Sequence, residues 1–296
     1  MERKKASDFP QELLDLFHLY VHGDIDRRGF FEGAAKFAVG GLTVAGIFEA
    51  LKPNYAWAQQ VAKDDARIKA EYATVQSPQG NGSIRGYLAR PAAAGKYPAV
   101  LVVHENRGLT DQIRSVASRL AASGYSALAI DLLSEEGGTS SFPDEGAAMA
   151  ALYAVPTTRF VADMKAGVTE LKRRLPGKKT AAMGFCFGGG MVWTLLAAKE
   201  PRLAAAAPFY GPFPEGSSLK GSRAAVLGIY GALDARVNAS RPAADAALRA
   251  AGLPHQLVTF PGVDHAFFND SGPRYDRAAA DAAYKRVLAW FKRYVG

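Results

Sequence analysis

The stretch that most constrains the fold is residues 180–198, with the sequence TAAMGFCFGGGMVWTLLAA. A short apolar run ends in the pattern Gly-x-Cys-x-Gly, centred on Cys186, and an apolar run compatible with a helix follows. This order predicts a strand, a tight turn and a helix, which together lift a nucleophilic side chain above the end of the strand. Gly184 and Gly188 leave room for such a turn, because side chains there would collide with the packed strand and helix.

Cys186 has two interpretations. It is the only cysteine of the chain, so no internal disulfide is possible and cysteine pairing does not indicate the redox compartment. At the start of a helix, unpaired N–H groups and the helix dipole favour the thiolate form, so we expect Cys186 to be a nucleophile. The alternative is a small buried apolar residue, which cysteine often is.

The composition is that of an ordinary globular protein, with 49% hydrophobic and 22% charged residues. The 296 residues suffice for one large α/β domain with a well-buried core. The net charge is +8, but the densest basic cluster, residues 172–179, straddles a predicted helix end without interleaved aromatic side chains. We therefore expect a solvated face there and no nucleic-acid partner.

Predicted strands and helices alternate along the chain from about residue 66. This alternation predicts an α/β fold with a mostly parallel central sheet and helices on both faces. Strands are expected at residues 84–89, 99–103, 126–130, 203–207, 225–230 and 256–260, and helices at 111–123, 144–154, 157–175, 241–251 and 275–294.

Two loops after predicted strands supply partners for the cysteine. Asp234 ends the sequence YGALD, and His265 lies in GVDHA. Taken singly, each is explained equally well as an Asp in an Asx turn or as a loop or capping histidine. With Cys186 they follow the order nucleophile, acid, histidine, which is that of α/β-hydrolases. In that chemistry the thiolate attacks an acyl carbon, His265 transfers protons and Asp234 fixes the imidazole tautomer.

A third loop, residues 104–109 with the sequence HENRGL, follows the strand at 99–103. Its His-Glu pair suggests zinc, but the helical zinc motif needs a second histidine where this chain has a glycine. We therefore expect neither a metal ion nor a cofactor. The end of this strand normally supplies an oxyanion N–H, so the backbone N–H groups of Asn106 and Phe187 are expected to bind the oxyanion, with Glu105 pointing toward Cys186.

These motifs together resemble the dienelactone hydrolase family, over about residues 73–295. The resemblance rests on HENRG, GFCFGG, GALD and DHAF. It implies an α/β-hydrolase fold in which Cys186, His265 and Asp234 form a triad that hydrolyses enol-lactones. It also implies that Glu105 holds or deprotonates the thiol, depending on whether substrate is bound.

The chain departs from the family at two substrate-binding positions. The best-studied members bind the substrate carboxylate with two arginines, where this chain has Glu135 and Asn269. Because neither offers a cationic anchor, we expect neutral substrates, unless Arg107 or Arg274 substitutes as the anchor. Nearby aromatic residues are expected to line an apolar pocket, with some of them in the core: Phe185, Phe187, Tyr210, Phe267 and Phe268.

The leading functional interpretation is a cysteine-dependent hydrolase of a small ester or lactone. The alternatives are a general carboxylesterase or thioesterase on the same fold, and a non-catalytic binding protein. The three intact residues argue against the last alternative, because a decayed site would tolerate the loss of any of them. Nothing in the sequence indicates an oligomeric state.

The first sixty residues differ in character from the remainder. The pair Arg27-Arg28, the aromatic pair that follows, a modest apolar region at 34–51 and the sequence Ala56-x-Ala58 resemble a twin-arginine export signal. Two charged residues interrupt the apolar region, so we expect no stable membrane anchor.

The chain is accordingly divided into residues 1–60, the expected signal, and residues 61–296, the hydrolase domain. This interpretation predicts a periplasmic or secreted protein that uses the twin-arginine machinery. The alternative is an amphipathic N-terminal arm retained on a cytoplasmic protein.

Overall fold

The computed structural model describes residues 5–39, 42–57, 60–62 and 65–296. An eight-stranded sheet forms its centre, in the order β1-β2-β4-β3-β5-β6-β7-β8. Strands β3 to β8 run parallel, and β2 is antiparallel to both of its neighbours. The strands are β1 (Ile68–Ser77), β2 (Gly82–Pro91), β3 (Ala99–Val103), β4 (Ser126–Ile130), β5 (Thr180–Phe185), β6 (Leu203–Phe209), β7 (Ala225–Gly231) and β8 (His255–Phe260).

Helices cover both faces of the sheet, which confirms the predicted α/β architecture. Along β3, Val100 and Val102 belong to one buried apolar cluster and Leu101 to the other, because successive side chains point to opposite faces. The helices of the body are α4 (Asp111–Ala122), α5 (Glu145–Ala154), α6 (Thr157–Arg174), α7 (Phe187–Ala197), α8 (Ala235–Asn238), α9 (Arg241–Ala250) and α10 (Arg277–Tyr294).

One strand of the hairpin at the sheet edge was not predicted. β1 pairs with β2 in continuous antiparallel register, from Ile68 opposite Pro91 to Ser77 opposite Gly82. Much of β1 is exposed, so it lacks the buried apolar run by which the inner strands were predicted. The dipeptide Asn81-Gly82, a strong hairpin signal, would have indicated it.

The last helix of the chain begins two residues later than predicted. It was expected from residue 275, whereas α10 begins at Arg277. The reason is a cap: the side chain of Asp276 accepts a hydrogen bond from the backbone N–H of Ala279 at 2.8 Å.

The N-terminal segment, called the arm below, comprises the described residues from 5 to 62. It contains helices α1 (Gln11–His22), α2 (Arg27–Ala34) and α3 (Val44–Leu51). Within the described part of the chain, no helix is long and apolar enough to cross a membrane. The helices enclose an apolar cluster of their own: Leu13, Leu14, Phe17, Val21, Phe30, Ala34, Ile47, Phe48 and Leu51.

The paired arginines of the predicted export signal lie on α2. Arg27 stacks over the rings of Phe31 and Phe48, at 5.3 and 5.2 Å from their centroids. Arg28 makes an exposed ion pair with Glu32 at 2.8 Å. Ala58, which completes the predicted cleavage motif, lies outside the described residues.

Candidate active site

The turn between β5 and α7 has the geometry that the glycine spacing predicts. Cys186 adopts φ 53° and ψ −115°, a strained backbone conformation for a residue other than glycine. A Cβ on Gly184 would lie 2.2 Å from the carbonyl oxygen of Gly188. A Cβ on Gly188 would lie 2.4 Å from the carbonyl oxygens of Val103 and His104. Both positions therefore need glycine for helix α7 to start directly behind the cysteine.

Asp234 and His265 meet at the carboxyl edge of the sheet, as their chain order predicts. Their side chains are joined by a hydrogen bond of 2.6 Å between Nδ1 of His265 and Oδ2 of Asp234. Asp234 also caps α8, because its side chain accepts a hydrogen bond from the backbone N–H of Val237 in that helix. With the Nδ1 proton held by the carboxylate, Nε2 of a neutral imidazole is a proton acceptor.

Burial governs the charge of this pair. It lowers the pKa of His265 well below its usual range, and the positive charge of Arg274 acts in the same direction. Burial also raises the pKa of Asp234. At neutral pH His265 is therefore an uncharged base.

Glu105 lies beside the cysteine, where the resemblance places it. One carboxylate oxygen accepts from Nδ2 of Asn269 at 2.7 Å, and the other from the hydroxyl of Tyr210 at 3.4 Å. Burial raises the pKa of Glu105, while the positive charge of Arg107 and the Asn269 hydrogen bond oppose that shift. The carboxyl group is thus held in a fixed position next to the sulfur.

The helix start, which favours the thiolate form, does not by itself determine the charge of Cys186. Burial and then the negative charge of Glu105 raise the pKa of the thiol to about 12. A hydrogen bond from the backbone N–H of Phe187 lowers it, but burial outweighs that bond. The sulfur is therefore a neutral thiol at rest.

The two predicted oxyanion donors differ in what the structure shows of them. The N–H of Phe187 is directed at the cysteine sulfur, at the start of α7. The side chain of Asn106 turns toward the arm, where its Nδ2 donates to the carbonyl oxygen of Val21. The role of the Asn106 backbone N–H stays a prediction.

His104 is a structural histidine of the buried loop. Its Nε2 accepts from the backbone N–H of Leu132 at 3.0 Å, so Nδ1 carries the proton and donates to the carbonyl oxygen of Glu105 at 2.5 Å. Both ring nitrogens thus hold the loop in place, so the histidine of the His-Glu pair has a structural explanation.

Three of the expected substrate residues have other partners in the structure. Glu135 is on the surface, with its side chain 55% exposed and paired to Arg159 at 2.7 Å. Phe267 is fully buried against Phe260 and Tyr210. Asn269 is occupied by its hydrogen bond to Glu105. Core packing also explains Phe185, Tyr210 and Phe268, which are fully buried in one apolar cluster.

Arg107 lines a cavity of about 1800 Å³ between the arm and the body. Its Nε donates to Oε2 of Glu145 at 2.8 Å, and the hydroxyl of Tyr55, from the arm, donates to the other oxygen at 2.7 Å. Met149 and Tyr153 also line this cavity, and both contact the side chain of Asn106. The cavity therefore adjoins the loop that carries Glu105 and Asn106.

The arm brings a histidine to the site that sequence reasoning missed. The ring of His18, on α1, packs edge-on against the ring of His265 with 4.8 Å between centroids. Nη1 of Arg274 donates to Nδ1 of His18 at 3.3 Å. Burial, with His265 and Arg274, lowers the pKa of His18 to about 3, so it is neutral. It was overlooked because it lies in the segment interpreted as a signal.

Within the described part of the chain, one group has the residue types of a metal site. Donor atoms of His18, Asp234 and His265 all lie within 4.8 Å of one another. The hydrogen bond of 2.6 Å between His265 and Asp234 accounts for one of these contacts without an ion. The expectation of no metal and no cofactor stays a prediction.

Comparison with known proteins gives two family matches. A model described as "Dienelactone hydrolase family" matches residues 84–295, and a model described as "YqhI-like" matches residues 1–37. The chain is 36% identical over 248 residues to a "Putative carboxymethylenebutenolidase" of Escherichia coli O157:H7, covering 79% of this chain and 90% of that protein.

Two solved structures are also similar to this chain. A "Putative Dienelactone Hydrolase" from Klebsiella pneumoniae superimposes with a TM-score of 0.68 at 32% identity, covering 77% of this chain and 99% of that one. A hyperthermophilic esterase from Pyrobaculum calidifontis covers 99% of this chain and 100% of its own at a TM-score of 0.62. At 16% identity, the second match shows the fold alone.

The glycine requirement at the elbow is tested by a matched pair of substitutions. Gly188→Ala forces a Cβ against two backbone carbonyls, and overpacking of this kind costs ~1–3 kcal/mol or more. At Gly190, in the same helix, the nearest atom is 3.5 Å away, so Gly190→Ala should be neutral or stabilise by up to about 1 kcal/mol. Free energies of unfolding in urea measure both, and equal values for the two variants would refute the close approach.

The raised thiol pKa predicts how Cys186 reacts with iodoacetamide. Because the thiol pKa is about 12, the alkylation rate should keep increasing as the pH rises past 9. Glu105→Gln removes a neighbouring negative charge and should move this rise to lower pH, whereas the control Glu135→Gln, in its surface ion pair, should not. Intact mass gives the rate at the single cysteine, and a rate that levels off below about pH 8 would indicate a resting thiolate.

Proposed function

The chain belongs to the dienelactone hydrolase family and is a hydrolase of carboxylic esters, and we propose that Cys186, His265 and Asp234 are its catalytic triad. The observation that carries this proposal is a strained elbow at Cys186 and a buried, hydrogen-bonded Asp234–His265 pair that both follow strands at the carboxyl edge of one sheet. Tyr210 links them, because its ring packs against His265 and its hydroxyl donates to Glu105, whose charge acts on the sulfur. A binding protein would have no need for a strained cysteine and an oriented neutral base in one buried site.

The charges of the site suggest the order of steps. The thiol proton passes to Nε2 of His265 as the sulfur attacks the acyl carbon, and Asp234 stabilises the imidazolium that forms. The carbonyl oxygen gains negative charge, which the N–H groups of Phe187 and Asn106 bind. His265 returns the proton to the departing oxygen, leaving a thioester on Cys186.

Hydrolysis of the thioester reverses these roles. His265 takes a proton from water, the resulting hydroxide attacks the thioester carbon, and the proton returns to the cysteine sulfur as it leaves. Burial and then the negative charge of Glu105 keep the sulfur protonated, so we assign to Glu105 a part in holding this resting state until substrate binds. A neutral thiol also reacts slowly with oxidants.

For the substrate, we propose a neutral ester or lactone. The residues expected as carboxylate anchors have other partners: Arg107 is paired with Glu145, Asn269 donates to Glu105, and Arg274 donates to His18 of the arm. The curated relatives are named for a lactone hydrolase, which favours a lactone over a thioester. A general carboxylesterase uses the same chemistry and is the second candidate.

Two fates of the arm follow from its sequence, and we retain both as proposals. Export through the twin-arginine machinery would place the hydrolase in the periplasm or outside the cell, with the arm removed after residue 58. The contacts of His18 and Val21 with the site support the alternative, an arm that stays on the enzyme. The N-terminal residue of the native protein distinguishes the two fates.

A double-mutant cycle tests the triad. Cys186→Ala and His265→Ala should each lower kcat/KM by about a thousandfold or more, and the double variant should be scarcely worse, because groups that act as one unit are non-additive. His255→Ala is the matched control, because that histidine is the first residue of β8, at the opposite end of the strand from the catalytic edge, where it contacts Leu253 and Asp245. Losses that multiply would show that His265 acts independently of the cysteine.

A pair of lactones with and without a free carboxylate tests the substrate class. The neutral compound should have the higher kcat/KM, by about tenfold or more. The carboxylate of the other compound loses its hydration on binding and gains no charge-assisted hydrogen bond in return. Glu145→Gln removes the ion pair of Arg107 and should reduce the difference in kcat/KM between the two lactones. Glu49→Gln, which lines the same cavity but is paired with Lys52, should leave that difference unchanged. Preference of the unaltered enzyme for the anionic lactone would contradict the proposal.

A further inference from the structure

The arm has a hydrophobic core that closes on itself. Phe30 is fully buried, and its ring packs against Phe17 and Phe48 with centroid distances of 5.7 and 5.4 Å. Every residue of this apolar cluster, including those packed at its edge, belongs to the arm. The dienelactone hydrolase model begins only at residue 84, and a separate model matches residues 1–37. The arm is therefore a small helical unit with a core independent of the body.

Polar contacts join the arm to the body. Bonds of this kind exchange with water when two surfaces separate, at a modest net cost each. They run from the residues before α1, from α1, from the α1–α2 turn and from the segment after α3, and they end on loops and on the first turns of α5 and α8. The pairs are Ala6 with Pro273 (2.9 Å), His18 with Arg274 (3.3 Å), Val21 with Asn106, Asp24 with Arg236 (3.9 Å), Asn54 with Ser271 (2.6 Å), Tyr55 with Glu145 (2.7 Å) and Gln60 with Asp270 (2.7 Å).

The docked arm closes the catalytic site. Cys186 is 4% exposed and His265 is 1% exposed. His18 lies against the imidazole of His265, and Val21 is bonded to Asn106 at the predicted oxyanion site. The large cavity does not open onto the sulfur, because neither Cys186 nor His265 lines it. An ester therefore does not reach the sulfur while the arm is docked as observed.

We propose that the arm is a lid that swings away from the body as one unit to admit substrate, and that His18 is the residue it withdraws from the catalytic histidine. Because the cluster around α1 to α3 is closed, these helices can separate from the body without exposing that core, and the polar contacts act as latches. Val61, at the end of the arm, packs against the apolar cluster of the body and stays with it. The consequence for turnover rests on the proposed function of Cys186. The access of a reagent to the sulfur tests the lid itself, whether or not the cysteine is catalytic.

Alkylation of Cys186 in the full chain, at one fixed pH, measures how often the lid opens. His18→Ala removes the hydrogen bond from Arg274. Tyr55→Phe removes the hydrogen bond to Glu145 and keeps the aromatic ring of the side chain. Each should raise the alkylation rate by roughly 3- to 10-fold, the range expected for one lost hydrogen bond. Arg28→Ala is the matched control, because it breaks an ion pair wholly within the arm and should leave the rate unchanged.

Reagent size separates a lid from a local gap. Since iodoacetamide and a bulky maleimide both require the open arm, the variants should accelerate both reagents by the same factor. A rise confined to the small reagent, or rates in both latch variants equal to those of the unaltered chain, would overturn the proposal.

Two further measurements keep the test decisive. Hydrogen exchange should show α2 amides as protected in the latch variants as in the unaltered chain, because the arm moves without unfolding. If His18→Ala unfolds the arm, the alkylation rate of the Tyr55→Phe variant tests the proposal instead, because Tyr55 lies outside the apolar cluster of the arm. Ester turnover is measured in parallel: faster alkylation without any turnover would support the lid and refute the proposed function.

Discussion

The close approach of Gly188 to the carbonyl oxygens of Val103 and His104 is the contact on which the rest of the site depends. It brings the start of α7 against the end of β3. The turn at Cys186 and the loop that carries Glu105 therefore lie next to each other. A side chain at Gly188 would push helix and strand apart and would separate the sulfur from its carboxylate neighbour. The strained backbone of Cys186 is sustained by this packing.

Burial then determines the charges. The same closeness that positions Cys186, Glu105 and His265 removes them from water, which raises the pKa of the two acids and lowers that of the base. The result is a site in which the sulfur and the imidazole rest uncharged, with the imidazole oriented by Asp234. In the proposed mechanism, charge on these two groups develops only during the attack on a substrate carbonyl, where the N–H of Phe187 is already directed at the sulfur.

Much of the body could be predicted because its signals are local. The apolar run of β3 and the glycine spacing around Cys186 depend on neighbours in sequence, and the structure agrees with both. The thiol pKa could not be predicted, because the helix N-terminus is a local property whereas burial and the position of Glu105 are tertiary. The exposed strand β1 was missed for want of a buried apolar run.

The arm shows the limit of such reasoning more clearly. Its paired arginines and apolar stretch fit an export signal, and nothing in the spacing of His18 indicates that it would lie against His265, 247 residues further along the chain. Likewise, Asn269 stands where the family has a substrate-binding residue, yet its amide is turned to Glu105. Contacts between distant segments decide both cases, and they follow from the packing of the whole molecule.

The most direct test of the central account is to trap the acyl group on the enzyme. After rapid mixing with a chromogenic acetate ester and acid quench, intact and peptide mass analysis should find one acetyl group per chain, on Cys186, and none in Cys186→Ala. Because the chain has a single cysteine, a thioester is assigned without ambiguity. Steady turnover of the ester by the Cys186→Ala variant, or an acetyl group on another residue, would contradict the account.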